Sequence, residues 1–76
     1  MSKKEQLIEF ATSDIIAMLC DDKKIELDEA MNMFYNSQVF EKLQDEQTGL
    51  YLESSAYVYG LYKDELKFGK IVQMEI

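Results

Sequence analysis

A chain of 76 residues makes one domain, 1–76, and at this size folding hides only about 60% of the unfolded chain's surface, so the core is modest. A composition that is 47% hydrophobic, with five Tyr and four Phe, excludes a disordered chain even at a net charge of −7. Acidic residues outnumber basic ones fifteen to eight, which sets long-range electrostatics against nucleic acid and anionic membranes and leaves basic or neutral protein surfaces as the easier partners.

The absence of Pro, the scarcity of Gly and the abundance of Leu, Met, Glu and Lys favour an all-α fold. Ser2 and Glu5 form a Ser-x-x-Glu capping box, from which a helix is predicted to run toward Cys20 or Asp22. Leu7, Ile8, Ala11, Ile15, Met18 and Leu19 share one side of it, with Phe10 and Ile16 widening that face, so the helix should be covered on more than one flank. Asp21 to Lys24 is a polar break, after which Ile25 re-enters the core as a staple.

Leu27, Ala30, Met31 and Phe34 then recur at i, i+3, i+4 and i+7, the stripe of a second helix, with Glu26 and Glu29 imitating a capping box. Asn36 can end this helix in a left-handed conformation, and Ser37 can cap a third helix over about Gln38 to Gln44. Val39, Phe40 and Leu43 form the apolar face of that third helix, leaving Gln38, Glu41, Lys42 and Asp45 for solvent or a partner. The result is a helix, corner, helix unit at the centre of the chain.

Asp45 to Gly49 is a loop by composition, with Gly49 able to take a positive φ, and Leu50 to Leu52 reads as extended. Ser54 or Ser55 can cap a last helix over about Ala56 to Phe68, ended by Gly69. Tyr57, Val58, Leu61, Tyr62 and Leu66 form its expected inner side, with Lys63, Asp64, Glu65 and Lys67 outward. Gly60 inside this helix is expected to mark a close approach by a neighbour. Residues 70–76 alternate with period two, the pattern of a short strand or docked extended tail that pairs with Leu50 to Leu52, with its own copy in a dimer, or with a partner.

No chemistry-bearing constellation emerges along the chain. Between Asp21 and Glu29 an EF-hand would need ligands where Lys23, Lys24 and Ile25 stand, and a chain without His and with one Cys lacks zinc's usual ligands. Cys20 has no histidine to activate it and sits on an apolar helix, so it reads as a structural thiol, and the carboxylates fall on solvent-facing positions. No enzyme activity, cofactor or metal is expected. The single Cys, together with an N-terminus that lacks a signal peptide's apolar core, predicts a cytoplasmic location, and the apolar runs are far short of the roughly 20 residues that span a membrane.

The five tyrosines are a heavy load for so small a core, and an aromatic contact surface is one reading of them. Tyr59 is expected to be the most exposed, because it faces away from Leu61 on the last helix. The helix, corner, helix unit also invites a DNA-binding reading with Gln38 to Gln44 as recognition helix, but Glu41, Asp45 and Glu46 would repel phosphate.

Phe34-Tyr35-Asn36-Ser37, Leu43, Thr48-Gly49-Leu50-Tyr51, Ser54 and Tyr57-Val58-Tyr59 resemble a family of short bacterial domains of unknown function, over roughly Leu27 to Leu66. The resemblance implies a small helical cytoplasmic protein, with some members encoded beside toxin-like partners and no catalytic residue to carry over.

The expectation is therefore an all-α bundle of four helices with a central helix-turn-helix and a short extended C-terminal tail. Its expected function is a non-enzymatic protein-interaction or regulatory module, antitoxin-like in form, whose acidic face covers a basic or toxin-like protein. Tyr57, Tyr59, Tyr62, Glu41 and Asp45 are the candidate partner-binding residues. The alternative is a helix-turn-helix DNA-binding regulator acting as a homodimer, which it needs to concentrate its few lysines; self-association through Val72, Met74 and Ile76 is a separate expectation for so small a core.

Overall fold

A computed structural model describes residues 2–69, which form four α-helices and two short 3₁₀ turns. Helix α1 spans Lys3–Lys23. The Ser2 hydroxyl accepts from the Glu5 amide at 3.2 Å and donates to the Glu5 carboxylate at 3.3 Å, satisfying an orphan donor of the first turn. The helix runs one residue past Asp22 because Lys24 stops it: at φ 57 and ψ 46 this lysine takes the left-handed conformation, and the Ile25 amide returns to the Cys20 carbonyl at 3.3 Å.

Helix α2 (Leu27–Tyr35) starts without a side-chain cap, so the Glu26 box does not form, and Asp28 and Glu29 act on its first turn only through the helix dipole. Asn36 is not left-handed, contrary to expectation: φ is −97, and its side-chain amide instead donates to the Asn32 carbonyl at 2.7 Å. A short polar side chain that reaches back to its own helix removes the need for a strained backbone. The corner is made by Ser37, whose hydroxyl donates to the Phe34 carbonyl at 2.6 Å and accepts from the Phe40 amide at 3.1 Å, capping α3 (Gln38–Gln44).

Two 3₁₀ turns follow, Glu46–Thr48 and Leu50–Leu52, where an extended Leu50 to Leu52 was expected. Three residues are too few to express a period, and local bonds decide their shape. Asp45 accepts from the Gln47 amide at 3.0 Å, the Thr48 hydroxyl donates to the Lys42 carbonyl at 2.7 Å, and Gly49 at φ 65 reverses the chain between the turns. The segment expected to pair with the tail is thus not a strand, and the expected tail strand itself, 70–76, lies outside the described residues.

Helix α4 (Ser55–Phe68) is capped by Ser54, which accepts from the Tyr57 amide at 3.1 Å, and ends at Gly69, whose φ of 77 lets its amide reach the Glu65 carbonyl at 2.7 Å. Gly60 within it has no neighbour that a Cβ would touch within 4 Å, so the expected close approach does not occur. Gly60→Ala should then stabilise the fold by about 0.5–1 kcal/mol through the backbone entropy of the unfolded chain, read as a higher urea midpoint. An unchanged or lower midpoint would mean that the glycine is kept for its conformation.

The core joins Ile15 and Leu19 of α1, Ala30 and Phe34 of α2, Val39 and Leu43 of α3, Leu50, and Val58, Leu61 and Tyr62 of α4. Phe34 lies at its centre, with ring centroids 5.5 Å from Phe40 and 5.3 Å from Tyr62, both edge-on. Helix α1 packs against α2 on one flank and α4 on the other, and α3 leans on α4. Phe10, Leu27 and Leu66, expected on buried faces, are exposed instead.

Candidate functional site

Tyr59 corrects the sequence reading most sharply. It is 7% exposed, its hydroxyl donates to Asp22 Oδ2 at 2.9 Å, and the Lys63 ammonium lies 5.4 Å from its ring centroid. The reason is that α4 is covered by α1 as well as α3, so its buried arc takes in Val58, Tyr59, Leu61 and Tyr62, wider than the single stripe that periodicity assumes. Tyr62 is interior, edge-on to Phe34, and offers a partner no surface. Tyr57 is exposed on α4, as are Glu41 on α3 and Asp45 at its end, but among the described residues no hydrogen bond or ion pair joins these three. Asp45 has a local task as the cap of the first 3₁₀ turn.

Burial raises the phenol of Tyr59 above its ordinary range, helped by the hydrogen bond to Asp22 and that residue's charge, and burial also raises Tyr62, helped by the charge of Glu65. A folded-state value above the unfolded one means that the native state holds the proton more tightly. The stability from these two groups is present below pH about 10 and is lost as pH rises beyond it. The thermal midpoint should accordingly fall at strongly alkaline pH, with a shallower fall in Tyr59→Phe. An identical fall in both proteins would remove Tyr59 from the effect.

The surface with the features of a contact site lies elsewhere, between α1 and α2. Ser13, Ile16 and Ala17 of α1 face Leu27, Met31 and Tyr35 of α2 across an open groove of about 270 Å³. Helical geometry accounts for the arrangement: residues 13, 16 and 17 share one edge of α1, and residues 27, 31 and 35 stand one turn apart on α2. Buried Ile16 and half-buried Met31 lie deepest, and Ser13 and Ala17 are small, exposed residues on the α1 side. Leu27, 58% exposed, and Tyr35, 44% exposed, are walls, and Tyr35 is steadied by the Phe40 ring at 5.0 Å. Beyond Ser13 the apolar surface continues to Phe10, 69% exposed, beside Gln6 and Glu9.

Sequence reasoning missed this groove because it gave Phe10 and Leu27 to the core; Met31 does pack against the core, as expected, while lining the groove with its remaining surface.

Among the described residues no group of three or more Cys, Asp or Glu side chains is placed to hold a metal ion, and no helix is long and apolar enough to cross a membrane. Lys23, Lys63, Leu66 and Lys67 surround a second shallow hollow at the other side of α1. Comparisons with family models, with characterised proteins and with solved structures give no match to this chain.

Proposed function

We propose that the chain is a non-enzymatic protein-interaction module that receives its partner in the groove between α1 and α2. The observation that carries this reading is that exposed Leu27 and Tyr35 wall one groove with half-buried Met31 between them, while exposed Phe10 follows along α1 beyond Ser13. An apolar centre within a polar rim is the anatomy of a protein contact, and isolated exposed side chains would not line one groove. An antitoxin-like or regulatory subunit is the form of this reading that the family resemblance implies.

The DNA-binding alternative draws no comparable support. The N-terminus of α3, the end a recognition helix turns toward base edges, is occupied by the Glu65 carboxylate, which accepts from the Gln38 and Val39 amides at 2.9 and 3.0 Å.

The test is affinity capture from nuclease-treated lysate at low salt with three baits: wild type, Phe10→Gln/Leu27→Gln and Tyr57→Ala. Both groove positions are exposed, so the double variant should fold. A protein retained by wild type and by Tyr57→Ala but lost from the double variant is the expected result. A partner lost only from Tyr57→Ala would move the site to α4.

A further inference from the structure

The groove between α1 and α2 is specific enough to say what it would hold. We propose that its occupant is a basic amphipathic helix of another protein, an inference that rests on the interaction-module reading above.

Shape comes first. Leu27 to Tyr35 covers eight residues of rise, about 12 Å, and Phe10 extends the apolar line beyond Tyr35. That length suits two to three turns of helix with apolar anchors at i, i+3 or i+4, and i+7. Both walls are helices whose backbone N–H and C=O groups are already paired within the helix, so an extended segment would find no strand edge to bond. The small side chains of Ser13 and Ala17 on the α1 side allow a close approach.

Charge then selects among helices. Glu9 stands at the Phe10 end of the groove. At 100° per residue Asp21 stands beside Ala17 on the far edge of α1 and Asp28 beside Leu27 and Met31 on the outer edge of α2, whereas the Asp14 carboxylate is turned to α4, where it accepts from the Ser55 hydroxyl at 2.9 Å. Glu9, Asp21 and Asp28 are exposed, and no lysine is among the residues that line the groove, Lys24 standing past the end of α1 as its C-cap. A second copy docked face to face would set this acidic-rimmed patch against the same patch, bringing carboxylate toward carboxylate. An acidic partner would meet the same repulsion, whereas lysines or arginines bordering an apolar stripe would meet three carboxylates and a chain of net charge −7.

Two peptides of about 14 residues test this, both with Leu at helical spacing, one with Lys and the other with Glu at the remaining positions. Each carries a fluorescent label and is titrated with wild type and with Phe10→Gln/Leu27→Gln, at roughly 50 and 500 mM salt. The Lys peptide should bind wild type at least about tenfold more tightly than the Glu peptide, and should lose about tenfold both in the double variant and at the higher salt. The same loss is expected in Glu9→Gln/Asp28→Asn, which leaves the apolar walls in place; circular dichroism confirms that each variant is folded.

Equal binding of the two peptides, or of the Lys peptide to wild type and to the double variant, overturns the proposal. So does sedimentation that shows a wild-type dimer abolished by the double variant, since the groove would then hold a second copy. If the Lys peptide fails while a captured protein still depends on Phe10 and Leu27, the occupant is wrong and the interaction module stands. Failure of both experiments removes the module as well.

Discussion

Phe34→Ala should leave a large fraction of the chain unfolded at room temperature. Phe34 is fully buried and holds Phe40 and Tyr62 edge-on against its ring. Removing a buried phenyl group costs about 3–5 kcal/mol in lost transfer energy and residual cavity. A domain of this length has about 4–11 kcal/mol in total, at the usual 0.05–0.15 per residue. The loss is therefore comparable to the entire stability, and it strikes α2, α3 and α4 at once. Urea titration followed by far-ultraviolet circular dichroism reads it directly. Phe34→Leu, which keeps most of the apolar volume, should remain folded with a lower midpoint. A Phe34→Ala protein within about 1 kcal/mol of wild type would show that the core repacks around the gap, and that Phe34 is not its centre.

Glu65→Ala is expected to cost about 1.5–3 kcal/mol, far more than an exposed helical glutamate normally would. Its carboxylate accepts from two amides at the start of α3, from 26 and 27 residues away along the chain, and so caps a helix to which it does not belong. Carboxylates bond helix N-terminal amides strongly because the acceptor is charged and the helix dipole favours it. Without it, the Gln38 and Val39 amides lose their partners, the latter partly buried. Glu65→Gln keeps one acceptor oxygen but loses the charge, and should fall between wild type and Glu65→Ala. Urea midpoints of the three proteins order the series; coincident midpoints would show that water replaces the cap without loss.

What could be read from the sequence was local. Ser2, Ser37 and Ser54 announced three helix starts, and Gly49 and Gly69 two reversals, because caps and positive-φ glycines act within a few residues of themselves. The four helices followed from those signals and from their apolar spacing. What could not be read depended on how many neighbours each helix acquires. Tyr59 was expected outside because one stripe of α4 was assumed buried, while contact with both α1 and α3 widened the buried arc to include it. Glu65 was placed toward solvent for the same reason, since no sequence rule reports that the start of α3 arrives beside it.

The groove is the converse case. Leu27 and Phe10 have the character of core residues, and only the actual number of covering helices shows that they are left outside. Of the residues expected to meet a partner, Tyr57, Glu41 and Asp45 are on the surface, whereas Tyr59 and Tyr62 are structural.

Helix α3 is seven residues long, below the length at which a helix persists by itself in water. Its start is held by Ser37 and by Glu65 from α4, and its end by the Thr48 hydroxyl on the Lys42 carbonyl. Every one of those anchors lies outside the helix they hold. A helix anchored only from outside is expected to order when α4 docks and to open with it. Its amides should then exchange with solvent no faster than those of α4, so that the shortest helix reports the opening of its neighbour; faster exchange in α3 alone would show that it opens by itself.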